Sequence, residues 1–317
     1  MEIITITHPH SIDPKTCPNT VMALGFFDGV HKGHQQVITT AKKIADENGY
    51  KSAVMTFDPH PSTILGNREE TISYLTPTDE KVKQISELGI DLLYFVEFNE
   101  AFANLLPQEF VDTYLIGLNV QHVVAGFDYS FGKYGKGTME TLPFHSRNAL
   151  DITVVNKFEY ENEKVSSTRI RQAIRDGQME QVTTLLGRNY QIKGIVVDGD
   201  KRGRTIGFPT ANIAVSIPYA LPTVGVYAVK CEVNGKMYTG MCNIGYKPTF
   251  NTEFQKQTIE VNIFDFNEDI YGKEFIVYWY ARIRNEKKFN SIDELVAQLN
   301  DDRETVKNYF SKSNALT

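Results

Sequence analysis

Residues 25–34, GFFDGVHKGH, place three glycines, one aspartate and two histidines directly after the apolar run VMAL. A glycine-rich turn between a strand and a helix lets backbone approach a ligand closely, and the exposed N–H groups at the start of the helix favour an anion. His31 and His34 are three residues apart near that helix start, where their imidazoles can donate hydrogen bonds to phosphate oxygens. The segment therefore predicts a phosphate site.

Other chemistries remain open for this pair of histidines on spacing alone. The order of residues differs from the GxxxxGK[ST] pattern of a P-loop and from the GxGxxG pattern of a dinucleotide site. Two histidines three residues apart also occur as metal ligands, or on a helix surface with no ligand at all. The context of a glycine-rich turn after a strand favours phosphate over these alternatives.

Three further segments of the first half carry residues suited to binding. TFDPHP (56–61) ends a strand at the edge where open α/β folds bind ligands, although a simple turn is the alternative. GFDYSFGKYGKG (126–137) alternates Phe127, Tyr129 and Phe131, whose rings either stack on a ligand or, as is more usual, lie in the core. SSTRIR (166–171) resembles a capped helix start and carries two arginines, which suit phosphate.

The second half contains its own candidate site. GDKRGRTIGFPTAN (199–212) joins glycines to three basic residues, as in a nucleotide-binding loop or a basic surface loop. Thr210 and Asn212 are two residues apart on an extended stretch, so their side chains point the same way and can jointly contact Mg²⁺ and phosphate. Glu260 lies in an apolar run, where a carboxylate is unusual. The simplest explanation for it is a salt bridge.

The elements that position these residues differ between the two halves. The first half alternates strand patterns with helical ones, which is typical of a parallel sheet covered on both faces. The predicted strands are 21–26, 52–57, 92–96, 122–126 and 152–155, and the predicted helices are 34–47, about 78–88 and a stretch after Pro107. From about residue 190, strand-like runs with an Asn234-Gly235 hairpin turn indicate antiparallel sheet, and residues 292–310 predict a final helix.

Length, charge and cysteine content limit the class of protein. A chain of 317 residues suits two domains, and a net charge of -6 disfavours a nucleic-acid-binding surface while allowing small phosphorylated ligands. Cys17, Cys231 and Cys242 form no CxxC pair. The N-terminus lacks a basic leader, and no apolar stretch approaches the roughly 18 residues of a membrane span. We expect a cytoplasmic protein with neither nucleic-acid nor membrane partners.

The ordered motifs resemble those of a known family. The HxGH order after GFFDG is similar to the phosphate-binding motif of nucleotidyltransferases, and TFDPHP, GFDYSFGKYGKG and SSTRIR follow as in bacterial bifunctional riboflavin kinase/FAD synthetases. GDKRGRTIGFPTAN, LPTVGVYAV, NIGYKPTF and IEVNIFDFNEDIYG extend the resemblance over nearly the whole chain. It implies a Rossmann-like FMN adenylyltransferase domain over 1–186 and an antiparallel β-barrel riboflavin kinase domain with a terminal helix over 187–317.

The resemblance implies two activities, with riboflavin, FMN and ATP as substrates, FAD as product and Mg²⁺ as cofactor. It gives catalytic roles to His31, His34 and Arg169 in adenylation and makes Glu260 the kinase base. Implied contacts to ATP or phosphate are Gly25, Phe26, Asp28, Gly29, His31, Gly33, His34, Ser166, Ser167, Thr168, Arg169, Arg171, Lys201, Arg204, Gly207 and Pro209. Implied flavin contacts are Asp58, Pro59, His60, Pro61, Asp128, Phe131 and Lys307, and implied metal ligands are Thr210 and Asn212.

Two positions depart from the family pattern. Asn262 stands where many relatives have histidine, and Lys307 stands where an arginine commonly helps the last helix contact the flavin. Lysine lacks the planar fork of arginine. The alternatives are therefore a monofunctional FMN adenylyltransferase with an inactive kinase-like domain, another HxGH nucleotidyltransferase, which would leave residues 190–317 unexplained, and a flavin-binding regulator without activity.

Overall fold

The computed structural model describes residues 1–65, 73–199, 202–246 and 257–314. The chain forms two compact units, residues 1–167 and 168–317. Each unit contains one large sheet, and the sheets differ in kind: the first is parallel and open, and the second is antiparallel and closed.

The first unit contains ten strands and six α-helices within the described residues. The strands are β1 (Glu2–Ile6), β2 (Thr20–Leu24), β3 (Lys51–Asp58), β4 (Leu92–Glu97), β5 (Val120–Gly126), β6 (Ser130–Phe131), β7 (Gly137–Thr138), β8 (Asp151–Val155), β9 (Glu159–Tyr160) and β10 (Glu163–Lys164). The helices are α1 (Lys32–Asn48), α2 (Pro61–Leu65), α3 (Thr78–Glu87), α4 (Glu100–Ala103), α5 (Pro107–Phe110) and α6 (Leu142–His145).

Six of these strands form a parallel sheet in the order β1-β4-β3-β2-β5-β8. Consecutive residues of β2 are buried on opposite faces, with Met22 in one hydrophobic cluster and Val21 and Ala23 in the other. The sheet is therefore covered on both sides, as the strand and helix alternation predicts. The chain proceeds from β2 to β3 on one side and returns to β5 on the other, so β2 and β5 flank the position where such folds bind ligands.

Two local details differ from the sequence prediction. Helix α1 begins at Lys32, two residues earlier than predicted, because His31 caps it with its side chain. The helix predicted after Pro107 is only four residues of α-helix, followed by a π-helical turn at Val111–Leu115 and a 3₁₀ turn at Ile116–Leu118.

The second unit contains the remaining elements. They are α7 (Ser167–Arg175), α8 (Met179–Leu186), β11 (Tyr190–Val197), α9 (Arg202–Thr205), β12 (Ala211–Ala214), β13 (Gly225–Val233), β14 (Lys236–Tyr246), β15 (Gln257–Ile263), β16 (Glu274–Arg284) and α10 (Ile292–Asn314). Six strands close into a barrel in the order β11-β12-β15-β14-β13-β16, with every neighbouring pair antiparallel.

Helix α10 packs on the barrel through Val306 and Phe310, which join a buried cluster with Val226 and Ala228 of β13. A bidentate ion pair fixes the helix, since Arg284 at the end of β16 donates to both carboxylate oxygens of the buried Asp302. The barrel and the terminal helix confirm the predicted fold. Helix α8 packs against β11 and β16, so it belongs structurally to the second unit, while the functional boundary at 186/187 stays a prediction.

Candidate active sites

The first candidate site is built around the turn from β2 to α1. His31 is the N-cap of α1, and its Nδ1 accepts a hydrogen bond from the backbone N–H of His34 at 3.2 Å. A neutral imidazole that accepts at Nδ1 carries its proton at Nε2, so the other side of the ring is a donor. The rings of His31 and His34 are stacked, with centroids 3.5 Å apart. The two predicted phosphate donors are thus brought together at the start of the helix.

The turn itself needs its glycines. A Cβ added to Gly25 would lie 2.7 Å from a ring atom of Phe27, and Gly29 has a φ of 87° that disfavours side chains. Asp28 is 2% exposed, and its carboxylate accepts from the backbone N–H groups of Leu75 at 3.1 Å and Thr76 at 3.0 Å. In this structure the Asp28 carboxylate therefore organises the turn, and its contact with phosphate stays a prediction.

The predicted flavin segment 58–61 lies beside this turn. The Thr56 hydroxyl donates to the Phe26 carbonyl at 2.8 Å, and the His60 ring packs edge-on against the Phe26 ring with centroids 4.2 Å apart. Asp58 accepts a hydrogen bond from the Thr78 hydroxyl at 3.3 Å. The ends of β2 and β3 thus bring Phe26, Asp58 and His60 to one edge of the sheet.

The aromatic segment after β5 divides into a core part and an exposed part. Phe131 is 5% exposed and packs against Phe110, with ring centroids 5.3 Å apart, which agrees with the core interpretation. Phe127 is 47% exposed and lies under the ammonium of Lys164, which also pairs with Asp128. Flavin contacts by Asp128 and Phe131 remain predictions.

The predicted arginines of SSTRIR lie on the first turns of α7, which begins at Ser167. The Ser167 hydroxyl donates to the carbonyl of Asp28 at 2.8 Å, which ties the end of the first unit to the β2–α1 turn. Arg169 and Arg171 belong to the second compact unit. Their contact with ATP phosphates, like that of Ser166 and Thr168, stays a prediction.

Lys81 is a residue of the first site that the sequence analysis missed. It lies on α3 at 3% exposure, and its ammonium donates to the Phe26 carbonyl at 3.0 Å. The signal was its position four residues before the buried Ile85, which puts a lysine on the core-facing side of a helix. A charged residue at a core position is the kind of local conflict that indicates function.

The second candidate site follows from the register of the barrel strands. Glu260 on β15 is paired with Asn212 on β12 and with Asn243 on β14. Paired residues of antiparallel strands project to the same face, so the proposed base lies between two side-chain amides. Asn243 was not singled out from the sequence, because only the register of β14 places it beside Glu260.

A cavity of about 770 Å³ lies beside β12 and β15, and its lining contains Ala211 and Val261, the strand neighbours of Asn212 and Glu260 that project to the opposite face. Its lining includes Asp198, Arg204, Pro209, Thr210, Asp269 and Tyr271. The oxygen donors of Thr210 and Asn212 fit Mg²⁺, which binds few protein groups and completes its shell with substrate phosphates and water. The predicted Lys201 lies outside the described residues, and the predicted Gly207 follows α9 with a φ of 81°.

The two departures from the family pattern have structural explanations. Asn262 is buried, and its side-chain amide donates to the carbonyl of Pro209 at 2.7 Å, which holds the segment that carries Thr210 and Asn212. Lys307 lies on the exposed side of α10, 3.5 Å from Glu304. Arg303, which the sequence analysis missed, lies over the rings of Phe208 and Phe264 at 4.4 and 5.7 Å.

Gly199 offers a test of the second site. A Cβ at this position would lie 2.1 Å from Nδ2 of Asn212, so Gly199→Ala is expected to displace that side chain from its place beside Glu260. We expect roughly a 10-fold loss of the ATP-dependent phosphorylation that the family resemblance implies for this unit, as for the loss of one charge-assisted contact. Steady-state kinetics at varied Mg²⁺ would measure it. Lys236→Ala, which shortens an exposed side chain of the same unit, is the control, and equal kinetics for the two variants would contradict the role of Asn212.

Comparisons with known proteins match both units. A family model for FAD synthetase matches residues 13–169, and one for riboflavin kinase matches residues 186–310. The bifunctional riboflavin kinase/FMN adenylyltransferase of Bacillus subtilis strain 168 is 54% identical over 98% of this chain and 99% of its own. The protein of that description from Listeria monocytogenes is 50% identical with the same coverage.

A solved structure shares the fold over the whole length. A crystal structure described as a macrolide-efflux protein from Streptococcus pneumoniae superposes with a TM-score of 0.85 at 39% identity, covering 96% of this chain and 99% of that one. Among the described residues of this chain, no helix has the length and apolar character needed to cross a lipid bilayer.

Proposed function

The chain belongs to the family of bifunctional riboflavin kinase/FMN adenylyltransferases, and from that premise we propose that it makes FAD in two ATP-dependent steps. It phosphorylates riboflavin to FMN and transfers an adenylyl group from ATP to FMN, releasing pyrophosphate. The observation that carries the proposal is that the two family models match separate halves of the chain, each with its own candidate site. Macrolide efflux, the activity in the description of the Streptococcus pneumoniae protein, is not proposed for this chain, because the FAD synthetase and riboflavin kinase family models account for both of its halves.

For adenylation, the helix start at His31 supports binding of the ATP phosphates. An oxygen of the FMN phosphate attacks the α-phosphorus, and the bond to pyrophosphate breaks. No covalent enzyme intermediate is needed, so positioning and charge stabilisation carry the step. Hydrogen-bond donors at the start of α1 would stabilise the negative charge that develops on the phosphoryl oxygens. They are the Nε2–H of His31, the His34 imidazole and the N–H groups of the first helical turn.

For phosphorylation, Glu260 is the general base. It takes the proton of the riboflavin 5'-hydroxyl while that oxygen attacks the γ-phosphorus of ATP and ADP leaves. Asn212 and Asn243, on either side of Glu260 in the barrel, are placed to orient the carboxylate and the phosphate. Mg²⁺ held by Thr210 and Asn212 would neutralise phosphate charge in this site.

We assign residues 1–186 to adenylation and 187–317 to phosphorylation, with ATP, riboflavin and FMN as ligands and the cytoplasm as the compartment. Arg169 and Arg171, near the end of the first functional segment, are assigned to ATP phosphates. The assignment is supported by the ranges 13–169 and 186–310 of the two family models.

The alternative of a monofunctional adenylyltransferase loses its main support. It rested on the departures at 262 and 307, and Asn262 bonds to the Pro209 carbonyl and holds the metal-binding segment. A cation over Phe208 is also present, supplied by Arg303.

A chromatographic time course tests the proposal. Purified protein with Mg-ATP and riboflavin is expected to form FMN first and FAD afterwards, whereas a reaction started from FMN forms FAD directly. Persistence of riboflavin while FMN becomes FAD would show that the kinase half is inactive. No conversion of either flavin would overturn the proposed function.

A further inference from the structure

Lys81 is a buried cation of the first unit, and no carboxylate within the described part of the chain forms an ion pair with it at contact distance. Its ammonium lies 3.0 Å from the Phe26 carbonyl oxygen, 3.4 Å from the Thr56 hydroxyl and 4.0 Å above the centroid of the Phe26 ring. These three partners are neutral. The residue is only 3% exposed, so water contributes little to its solvation.

Such burial is unfavourable for folding. Removing an ammonium from water carries a large desolvation penalty, and an apolar side chain of similar volume commonly replaces a buried charge without loss of stability. Burial lowers the pKa of Lys81 to about 8 from its ordinary value near 10.5, although the negative charges of Asp28 and Asp58 act in the opposite direction. Stability alone therefore does not account for a lysine at this position.

The partners of Lys81 identify its place in the site. Phe26 lies in the turn between β2 and α1, which is assigned to ATP phosphate, and Thr56 lies in β3, two residues before Asp58 in the segment assigned to FMN. The Thr56 hydroxyl donates to the same Phe26 carbonyl. One ammonium thus joins the β2–α1 turn to the end of β3, the two segments assigned to the ATP phosphates and to FMN.

We propose that Lys81 is a positioning residue for FMN adenylation. It fixes the Phe26 carbonyl against β3 and puts one positive charge beneath the phosphate-binding turn. The inference rests on the proposed adenylation of FMN and adds a residue that acts through Phe26 and Thr56 without touching substrate.

A positioning role for Lys81 makes adenylation depend on the protonation of its ammonium. Lys81 loses its proton as pH rises through about 8, so adenylation by the wild-type chain is expected to fall above that pH. The charged groups that act on Lys81 are Asp28 from the turn and Asp58 from β3, and His60 contacts the same Phe26 ring.

Stability is expected to change in the opposite direction over the same range. Between pH 8 and 10.5 the unfolded chain binds more protons at Lys81 than the folded chain, so stability rises with pH. Below pH 8 the full cost of the buried charge is present. A fall in adenylation above pH 8 would therefore be opposite in sign to the contribution of Lys81 to stability, and thermal unfolding measured at each pH separates the two effects.

The test compares Lys81→Met with Lys83→Met, which changes an exposed lysine on the same helix. Lys81→Met is expected to lower FMN adenylation roughly 10- to 100-fold, as for the loss of a charged hydrogen bond, with a melting temperature no lower than wild type. Riboflavin phosphorylation by the same preparation is expected to be unchanged. Lys81→Arg keeps its charge at all these pH values, so the activity that it retains is expected to show no fall above pH 8.

The proposal would be overturned by adenylation in Lys81→Met equal to that in Lys83→Met, or by the same fall above pH 8 in Lys81→Met as in wild type. Loss of both activities together with a lower melting temperature would also overturn it, because the lysine would then serve folding alone. Absence of FMN adenylation in the wild-type chain is a different result, since it contradicts the proposed function itself.

Discussion

Glu260→Gln is expected to lower riboflavin phosphorylation by about 10²- to 10⁴-fold, the range typical for loss of a general base. Glutamine keeps the shape of the side chain and its place between Asn212 and Asn243, but it cannot accept the proton of the attacking hydroxyl. The effect should appear in kcat more than in the KM of either substrate, because a base acts mainly in the transition state. Initial rates of FMN formation at saturating Mg-ATP and riboflavin would measure it.

Two controls separate this effect from a general defect. FMN adenylation by the same variant is expected at the wild-type rate, since the residues assigned to that site lie in the first unit and on α7, outside the strands of the barrel. Glu274→Gln changes another glutamate of the same barrel, which pairs with Lys193 at 2.7 Å on the surface, and it is expected to leave both activities intact. Phosphorylation by Glu260→Gln within about 3-fold of wild type would assign Glu260 to a structural role, because the loss would lie far below the range for a base.

The elements that the sequence predicted correctly are those with a strong local pattern. Strands β2 to β5 are apolar runs bounded by turn residues, and α1 carries Val37, Ile38, Ala41 and Ala45 on one buried face before a glycine stop. In the barrel, the hairpin at Asn234-Gly235 sets the pairing of β13 with β14, and its register follows from turn chemistry. Strand β12 was predicted only as an extended stretch at 210–212, and its place in the barrel was not, because that place depends on pairing with β11 and β15 rather than on a local pattern.

The candidate sites were predictable where one motif contains the chemistry. HxGH and PTAN each put their candidate functional groups within a few residues, so a local motif together with its context predicts a phosphate site and a metal site. Lys81, Asn243 and Arg303 come from elements distant in sequence from those motifs. Lys81 is 55 residues from Phe26, and only the packing of α3 beside the sheet brings the two together. Long-range contacts of this kind carry no signal in the spacing of a single sequence.

The departures at Asn262 and Lys307 also show that a residue type alone does not give the contacts of its side chain. Substitution of a family histidine by Asn262 suggested a weakened kinase site, yet the amide of asparagine is a competent donor to the Pro209 carbonyl. Lysine at position 307, which is exposed, also suggested a weakened kinase site. The cation that packs over Phe208 is Arg303, one helical turn earlier on α10. The residue type at one position does not show which other cation of the helix packs over these rings, because that contact depends on the fold.

His31→Asn is expected to lower FMN adenylation by about 10²- to 10³-fold, the loss typical when one preorganised donor to a developing oxyanion is removed. The choice of asparagine separates two roles of this histidine. Its Nδ1 caps α1 by accepting from the His34 N–H, and the opposite Nε2–H is the proposed phosphate donor. Asparagine is itself a good N-cap, so the helix start is kept while the donor at the far side of the imidazole is lost.

His31→Ala completes the comparison, because it removes the cap and the donor together. It is expected to lose the same catalytic factor and in addition about 1 kcal/mol of folding stability, the usual cost of deleting an N-cap. Pyrophosphate release with FMN and ATP measures the first quantity, thermal unfolding the second, and riboflavin phosphorylation serves as the internal control. If His31→Asn adenylated FMN at the wild-type rate, the HxGH histidine would be a helix cap only, and the charge on the phosphates would have to be met by the backbone N–H groups, His34 and the arginines of SSTRIR.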